Sequence, residues 1–112
     1  MNIDAETLAN GALKINLAGR MDVQGAQAID LKFTSYTANQ KAVVVDLSGV
    51  SFLASIGIRT LLLAAKAVAG RGGKMVALNP DDNVTQVLKM AGIDMLIPIC
   101  RSVDEAQAMV AA

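Results

Sequence analysis

The sequence predicts an α/β domain built on a mixed β-sheet, and three observations carry that prediction. Asn10-Gly11 stands ahead of a segment in which Leu13, Ile15 and Leu17 alternate with Lys14 and Asn16, the pattern of a β-hairpin with one half-buried strand. Ala42-Val43-Val44-Val45 is a continuous apolar run, as in a parallel strand buried on both faces. Between and after these strands, apolar residues recur every three or four positions, as on amphipathic helices. Strands that alternate with helices form βαβ units with right-handed crossovers.

Taken in order, the segment around Ile3 to Leu8 supplies the first strand of the hairpin, with Asn10-Gly11 as a two-residue turn. Gly19-Arg20-Met21-Asp22 turns into a helix with Asp22 as its N-cap and Ala26, Ile29, Phe33 and Tyr36 as its apolar stripe. The strand that follows ends at Asp46, and Leu47 to Ala54 is expected to be a loop. A second helix runs from about Ile56 to Ala69, and Gly70, Gly72 and Gly73 end it. Lys74 to Leu78 is a short strand. Pro80-Asp81-Asp82-Asn83 opens a helix carrying Val84, Val87, Leu88 and Ala91 inward, with Gly92 beyond its end. Ile97-Pro98-Ile99 is a short extended piece whose proline places it at a sheet edge. Ser102 and Glu105 form a capping box for a last helix that buries Val103, Ala106 and Val110. The order is ββαβαβα, with a further short strand before the final helix. No Pro- or Ser-rich linker divides the chain, so residues 1–112 are expected to form one domain.

Composition excludes several kinds of chemistry. The chain has 10 Lys+Arg against 10 Asp+Glu, so no basic excess marks a nucleic-acid surface. Aromatic residues are only 3%, which leaves few platforms for stacking bases and makes the core aliphatic. With no histidine there is neither a Ser-His-Asp triad nor an imidazole metal ligand. Cys100 is the one cysteine, so no internal disulfide forms and a cytoplasmic location is expected. Arg59 and Lys66 interrupt the most apolar stretch, so no membrane span is expected despite a mean hydropathy of +0.46. Met1-Asn2-Ile3-Asp4 has no basic or apolar signal-peptide region. Leu53-Ala54-Ser55-Ile56-Gly57 lacks the first glycine of a nucleophile elbow, and Gly70-Arg71-Gly72-Gly73 precedes a strand rather than a helix. Neither an enzyme nor a bound cofactor is expected.

One segment has a possible chemical role, Asp46-Leu47-Ser48-Gly49-Val50-Ser51-Phe52-Leu53-Ala54-Ser55-Ile56-Gly57-Ile58-Arg59. Ser55 stands where loop becomes helix. There a serine can simply cap the helix, or it can carry a phosphate next to unpaired N–H groups. Gly57 either relieves packing or lets a partner approach the backbone. Arg59 opposes the helix dipole and lies four residues after Ser55. It is either a solvated arginine or a cation for an acidic partner or a phosphate on Ser55.

This segment resembles the STAS domain signature D-L-S-x-V-x-F-x-D-S-S/A-G-L/I, through Asp46-Leu47-Ser48, Val50, Phe52, Ser55, Gly57 and Ile58. The likeness continues at Gly19-Arg20-Met21-Asp22, at Gly72-Gly73-Lys74-Met75-Val76 and at Val87-Leu88-Lys89-Met90-Ala91-Gly92-Ile93. The family includes bacterial anti-sigma factor antagonists and the cytosolic tails of sulfate transporters. The resemblance implies a single STAS-like fold and a regulatory switch. In that switch an unmodified antagonist binds an anti-sigma factor serine kinase and frees a sigma factor. Phosphorylation at Ser55 breaks the complex, and a protein phosphatase restores it. The implied partner surface is Leu53, Ala54, Ser55, Ile56, Gly57, Ile58 and Arg59, flanked by Met21, Asp22, Ser48 and Gly49. Two residues depart from the signature: Ala54 replaces the usual acidic residue and Ile56 the usual small one. The alternative is therefore a STAS-like scaffold module in a signalling complex that is never phosphorylated. Oligomeric state stays open.

Overall fold

In the computed structural model, which describes residues 1–111, the alternating segment becomes β2 (Leu13–Met21), paired antiparallel with β1 (Asn2–Thr7). The connection is wider than the expected two-residue turn, because pairing stops at Thr7 and Leu13. Gly11 adopts φ +87°, and the side-chain Oδ1 of Asn10 accepts the Ala12 N–H at 3.0 Å. The Asn10 amide donates to the Gln107 carbonyl at 3.2 Å, which fastens the hairpin end to the last helix.

β3 (Ala42–Leu53), β4 (Lys74–Leu78) and β5 (Ile99–Cys100) complete a five-stranded sheet in the order β1-β2-β3-β4-β5. Only the β1–β2 pair is antiparallel. Pro98 precedes β5 at the sheet edge, where its carbonyl accepts the Ala77 N–H at 2.9 Å.

β3 is the main departure from expectation, since the predicted loop Leu47 to Ala54 is strand as far as Leu53. The cause lies in its register. Asn16 faces Asp46 but Ala18 faces Gly49, and Gly19 faces Val50 but Arg20 faces Phe52. β3 thus carries an extra residue at two bulges, each of which resets the inward–outward alternation. Buried residues then fall at Leu47, Val50 and Leu53, a spacing of three that does not read as a strand. β2 likewise runs on through Gly19-Arg20-Met21, where a turn was expected.

Four helices connect and cover the sheet: α1 (Val23–Thr37), α2 (Ser55–Gly70), α3 (Asp82–Met90) and α4 (Val103–Ala111). Asp22 caps α1 by accepting the Gly25 N–H at 2.8 Å, and Asp81 caps α3 through Val84 at the same distance. Gly92 ends the α3 region with φ +72°. Ala91 lies exposed past the end of α3, not inward. Ser102 accepts the Glu105 N–H at 3.1 Å, but the Glu105 carboxylate reaches back to the Arg101 N–H at 2.8 Å, one residue beyond a reciprocal capping box. Val103 is exposed at the start of α4, while Ala106 and Val110 are buried.

The helices divide between the two faces. Ile15, Leu17, Val43, Val45, Met75 and Ala77 pack under α1, α2 and α3. Val44, Val76, Leu78 and Cys100 pack under α4. On the α4 side, β1 and β2 present polar groups instead: Lys14 bridges Glu6 at 3.5 Å and Asp46 at 3.3 Å. No helix is long and apolar enough to cross a membrane among the described residues.

Candidate functional site

β2 and β3 are parallel neighbours that end together, Met21 opposite Leu53. Each strand leads directly into a helix, so α1 and α2 begin side by side at one end of the sheet. The Ala54 N–H donates to the Met21 carbonyl at 3.0 Å and locks the two exits together. Asp22 and Ser55 are brought to the same surface by this arrangement.

Ser55 is the first residue of α2 and not its N-cap, which corrects the simpler of its two readings. The cap is Ala54, extended at φ −90° and ψ 169°, and its side chain cannot accept a hydrogen bond. Ser55 is exposed, and its hydroxyl has no hydrogen-bond partner among the described residues. An unused hydroxyl at a helix start with uncapped N–H groups is sterically and electrostatically open to a phosphoryl group.

Three of the expected surface residues lie beneath the surface. Met21 is 0% exposed and Leu53 5%, because both end strands under the helices, and Gly57 is buried against them. A β-carbon on Gly57 would stand 2.8 Å from Leu53 Cδ1, 2.8 Å from Met21 Cγ and 3.1 Å from the Met21 carbonyl oxygen. Gly57 is thus a packing glycine that seats the first turn of α2 on the strand ends. Ala54, Ile56 and Ile58 are half-buried, and Arg59 is exposed.

Ser48 and Gly49 are exposed, but they lie back along β3 at its first bulge, roughly 15 Å of strand from Leu53. Ser48 lines a polar cleft with Lys14, Asp46, Asn79, Arg101 and Ser102, separate from Ser55. Burial acts to raise the Asp46 carboxyl, yet hydrogen bonds from Ser48 and the nearby Lys14 ammonium outweigh it and hold the group below the ordinary carboxylate range.

The surface around Ser55 includes residues that sequence reasoning did not place there. Two clefts adjoin this segment, one lined by Ile56 and the other by Leu53, while Ser55 lines neither. One, of about 260 Å³, runs between α1 and α2 past Gln27, Asp30, Ile56, Arg59 and Leu63. The other, of about 420 Å³, runs between the end of β3 and α3 past Ser51, Phe52, Val87 and Met90. Phe52 is 41% exposed and Met90 80%. The Arg20 guanidinium lies 4.4 Å from the Phe52 ring centre, and its Nε is 3.6 Å from the Asp22 carboxylate. The Gly25 hydrogen bond, with Arg20 beside it, holds the Asp22 carboxyl below its ordinary range. Phe52 was within reach of the sequence once the three-residue period of Leu47, Val50 and Leu53 was recognised. The α3 contribution was not, because nothing local ties Met90 to β3. Among the described residues, no group of three His, Cys, Asp or Glu side chains could hold a metal ion.

This architecture has known relatives. A protein of Bordetella bronchiseptica, provisionally named as the anti-sigma factor antagonist BtrV, is 25% identical over 100 residues, covering 88% of this chain and 86% of its own length. The crystal structure of an anti-sigma factor antagonist from Mycobacterium paratuberculosis superimposes with a TM-score of 0.89 at 22% identity, over 99% of this chain and 94% of that one. The Bacillus cell fate determinant SpoIIAA in its phosphorylated form matches with a TM-score of 0.72 at 18% identity, over 96% and 98%. At such identities the solved structures speak for the fold. The STAS domain family model matches residues 2–106, nearly every element from β1 to α4, and the chain therefore belongs to the STAS domain family.

Proposed function

We propose that this chain is an anti-sigma factor antagonist switched at Ser55. Unmodified, it binds an anti-sigma factor with serine kinase activity through the exposed surface around Ser55, and so frees a sigma factor for transcription. The kinase transfers the γ-phosphoryl group of ATP to the Ser55 hydroxyl; an Oγ–P bond forms, ADP leaves and the hydroxyl proton is released. A protein phosphatase hydrolyses that bond and restores binding. On this reading residues 1–112 act as one domain in the cytoplasm, and the chain binds no nucleic acid itself.

The observation that carries the reading is the exposed, unbonded Ser55 hydroxyl at the first position of α2. A phosphate there adds about −1.5 to −2 charges in the middle of a surface whose neighbours are Phe52, Ala54, Ile56 and Ile58. The fold tolerates that charge at a helix start. An apolar partner surface pressed against it does not, since burying an unpaired charge is costly. The name of BtrV and the fold shared with phosphorylated SpoIIAA support the reading. The family is one of binding modules rather than enzymes.

The binding surface comprises Asp22, Ala54, Ser55, Ile56, Ile58 and Arg59 with Phe52 and with Val23, the exposed first residue of α1 next to Asp22. Met21, Leu53 and Gly57 act from beneath by fixing the start of α2. Capture of the kinase by immobilised protein tests this: Ser55→Ala retains the kinase and Ser55→Asp loses it. Equal capture by both variants, with no phosphate on Ser55, supports an unswitched scaffold module instead.

A further inference from the structure

Arg59 is the one cation in the signature segment Asp46-Leu47-Ser48-Gly49-Val50-Ser51-Phe52-Leu53-Ala54-Ser55-Ile56-Gly57-Ile58-Arg59, and its role in the binding surface is still without a chemical account. It sits one helical turn after Ser55, so the two side chains share a face of α2. It is exposed and makes neither an ion pair nor a hydrogen bond among the described residues. Arg20 and Asp22 at this end are engaged: Arg20 lies over Phe52, and Arg20 and Asp22 stand 3.6 Å apart. Arg59 lines the cleft between α1 and α2, with Asp30 on the opposite wall but outside ion-pair distance.

Arg59 is the fifth residue of α2, where the helix dipole gives a cation no favourable interaction, and no ion pair among the described residues holds it, so local stability does not account for it. Its position offers two mutually exclusive partners. Turned outward over the cleft, the guanidinium presents a fork of donors to a carboxylate on a docked protein. Turned back by one helical turn, it reaches a phosphate on Ser55.

We infer that Arg59 is the specificity determinant of the switch: it pairs with a carboxylate of the partner when Ser55 is unmodified, and phosphorylation withdraws it from that carboxylate to the phosphate. This rests on the proposed role of Ser55. The phosphate then releases the partner in two ways, by adding negative charge and by removing the cation the partner uses.

The test uses full-length protein with phosphoserine installed at position 55 during translation, so that it does not depend on any kinase. A phosphorus NMR titration reads the second ionisation of the phosphate, ordinarily at pH ~6. A guanidinium contact favours the dianion, so this ionisation comes at lower pH with Arg59 than in Arg59→Gln, by roughly half a pH unit. In unmodified protein, Arg59→Gln weakens partner binding about tenfold while Arg59→Lys recovers part of it. Coincident titrations overturn the inference, and so does undiminished partner binding by unmodified Arg59→Gln. Failure of the Ser55 reading shows separately, as absence of phosphate on Ser55 after treatment with the kinase and ATP.

Discussion

Gly57 in α2 packs directly on Met21 at the end of β2, where a β-carbon on the glycine would come within 2.8 Å of the methionine Cγ. Met21 cannot yield easily, because it is 0% exposed and its carbonyl holds the Ala54 N–H at 3.0 Å. The height of Ser55 above the sheet is therefore set by the absence of a side chain two residues later.

Gly57→Ala should destabilise the fold despite the better helix propensity of alanine. Overpacking costs about 1–3 kcal/mol, against a propensity gain of about 1 kcal/mol. Gly70→Ala, at the far end of the same helix, meets no atom within 4 Å and should stabilise by roughly 0.5 kcal/mol. Urea unfolding of the two variants beside the parent checks the contrast.

Ala54→Asp should stabilise the protein. The residue already has extended N-cap geometry but no side-chain acceptor for the N–H groups of α2. Supplying one is worth about 1 kcal/mol, and the negative charge also suits the helix start. Thermal unfolding above pH 6 measures the gain.

Arg71→Met should cost about 2 kcal/mol. The guanidinium donates to the Thr37 carbonyl at 2.7 Å and to the Gln40 carbonyl at 3.0 Å, which ties the end of α2 to the end of α1. Methionine keeps much of the packing and removes the donors. The loss should appear in denaturant midpoint with an unchanged slope.

Asp46→Asn should flatten the acid limb of stability. The Asp46 carboxyl is held below its ordinary value, so its contribution is complete above the unfolded value of about 3.9 and is lost as pH falls through the folded one. The parent should lose stability below pH ~4 more steeply than the asparagine variant. Denaturant midpoints measured from pH 6 downward give the comparison.

Much of this was legible from local pattern. Asp22, Asp81 and Gly92 act where capping rules put them, because a cap is decided within three or four residues. The parallel core strand is equally local, since Val43, Val44 and Val45 are buried on both faces. The second half of β3 was not legible: its two bulges exist only in pairing with β2. For the same reason Met21, Leu53 and Gly57 were expected on the surface and Ser48 beside Ser55. Burial at a strand–helix junction depends on which strands end together, and that is long-range information.

The central claim is that Ser55 accepts a phosphoryl group. Intact-mass and peptide mass measurement after incubation with ATP and the anti-sigma factor kinase of the native organism tests it most directly. The account predicts one added phosphoryl group, located on Ser55 and absent from Ser55→Ala, with loss of kinase binding in step. No addition to the parent, or an equal addition to folded Ser55→Ala, would contradict it.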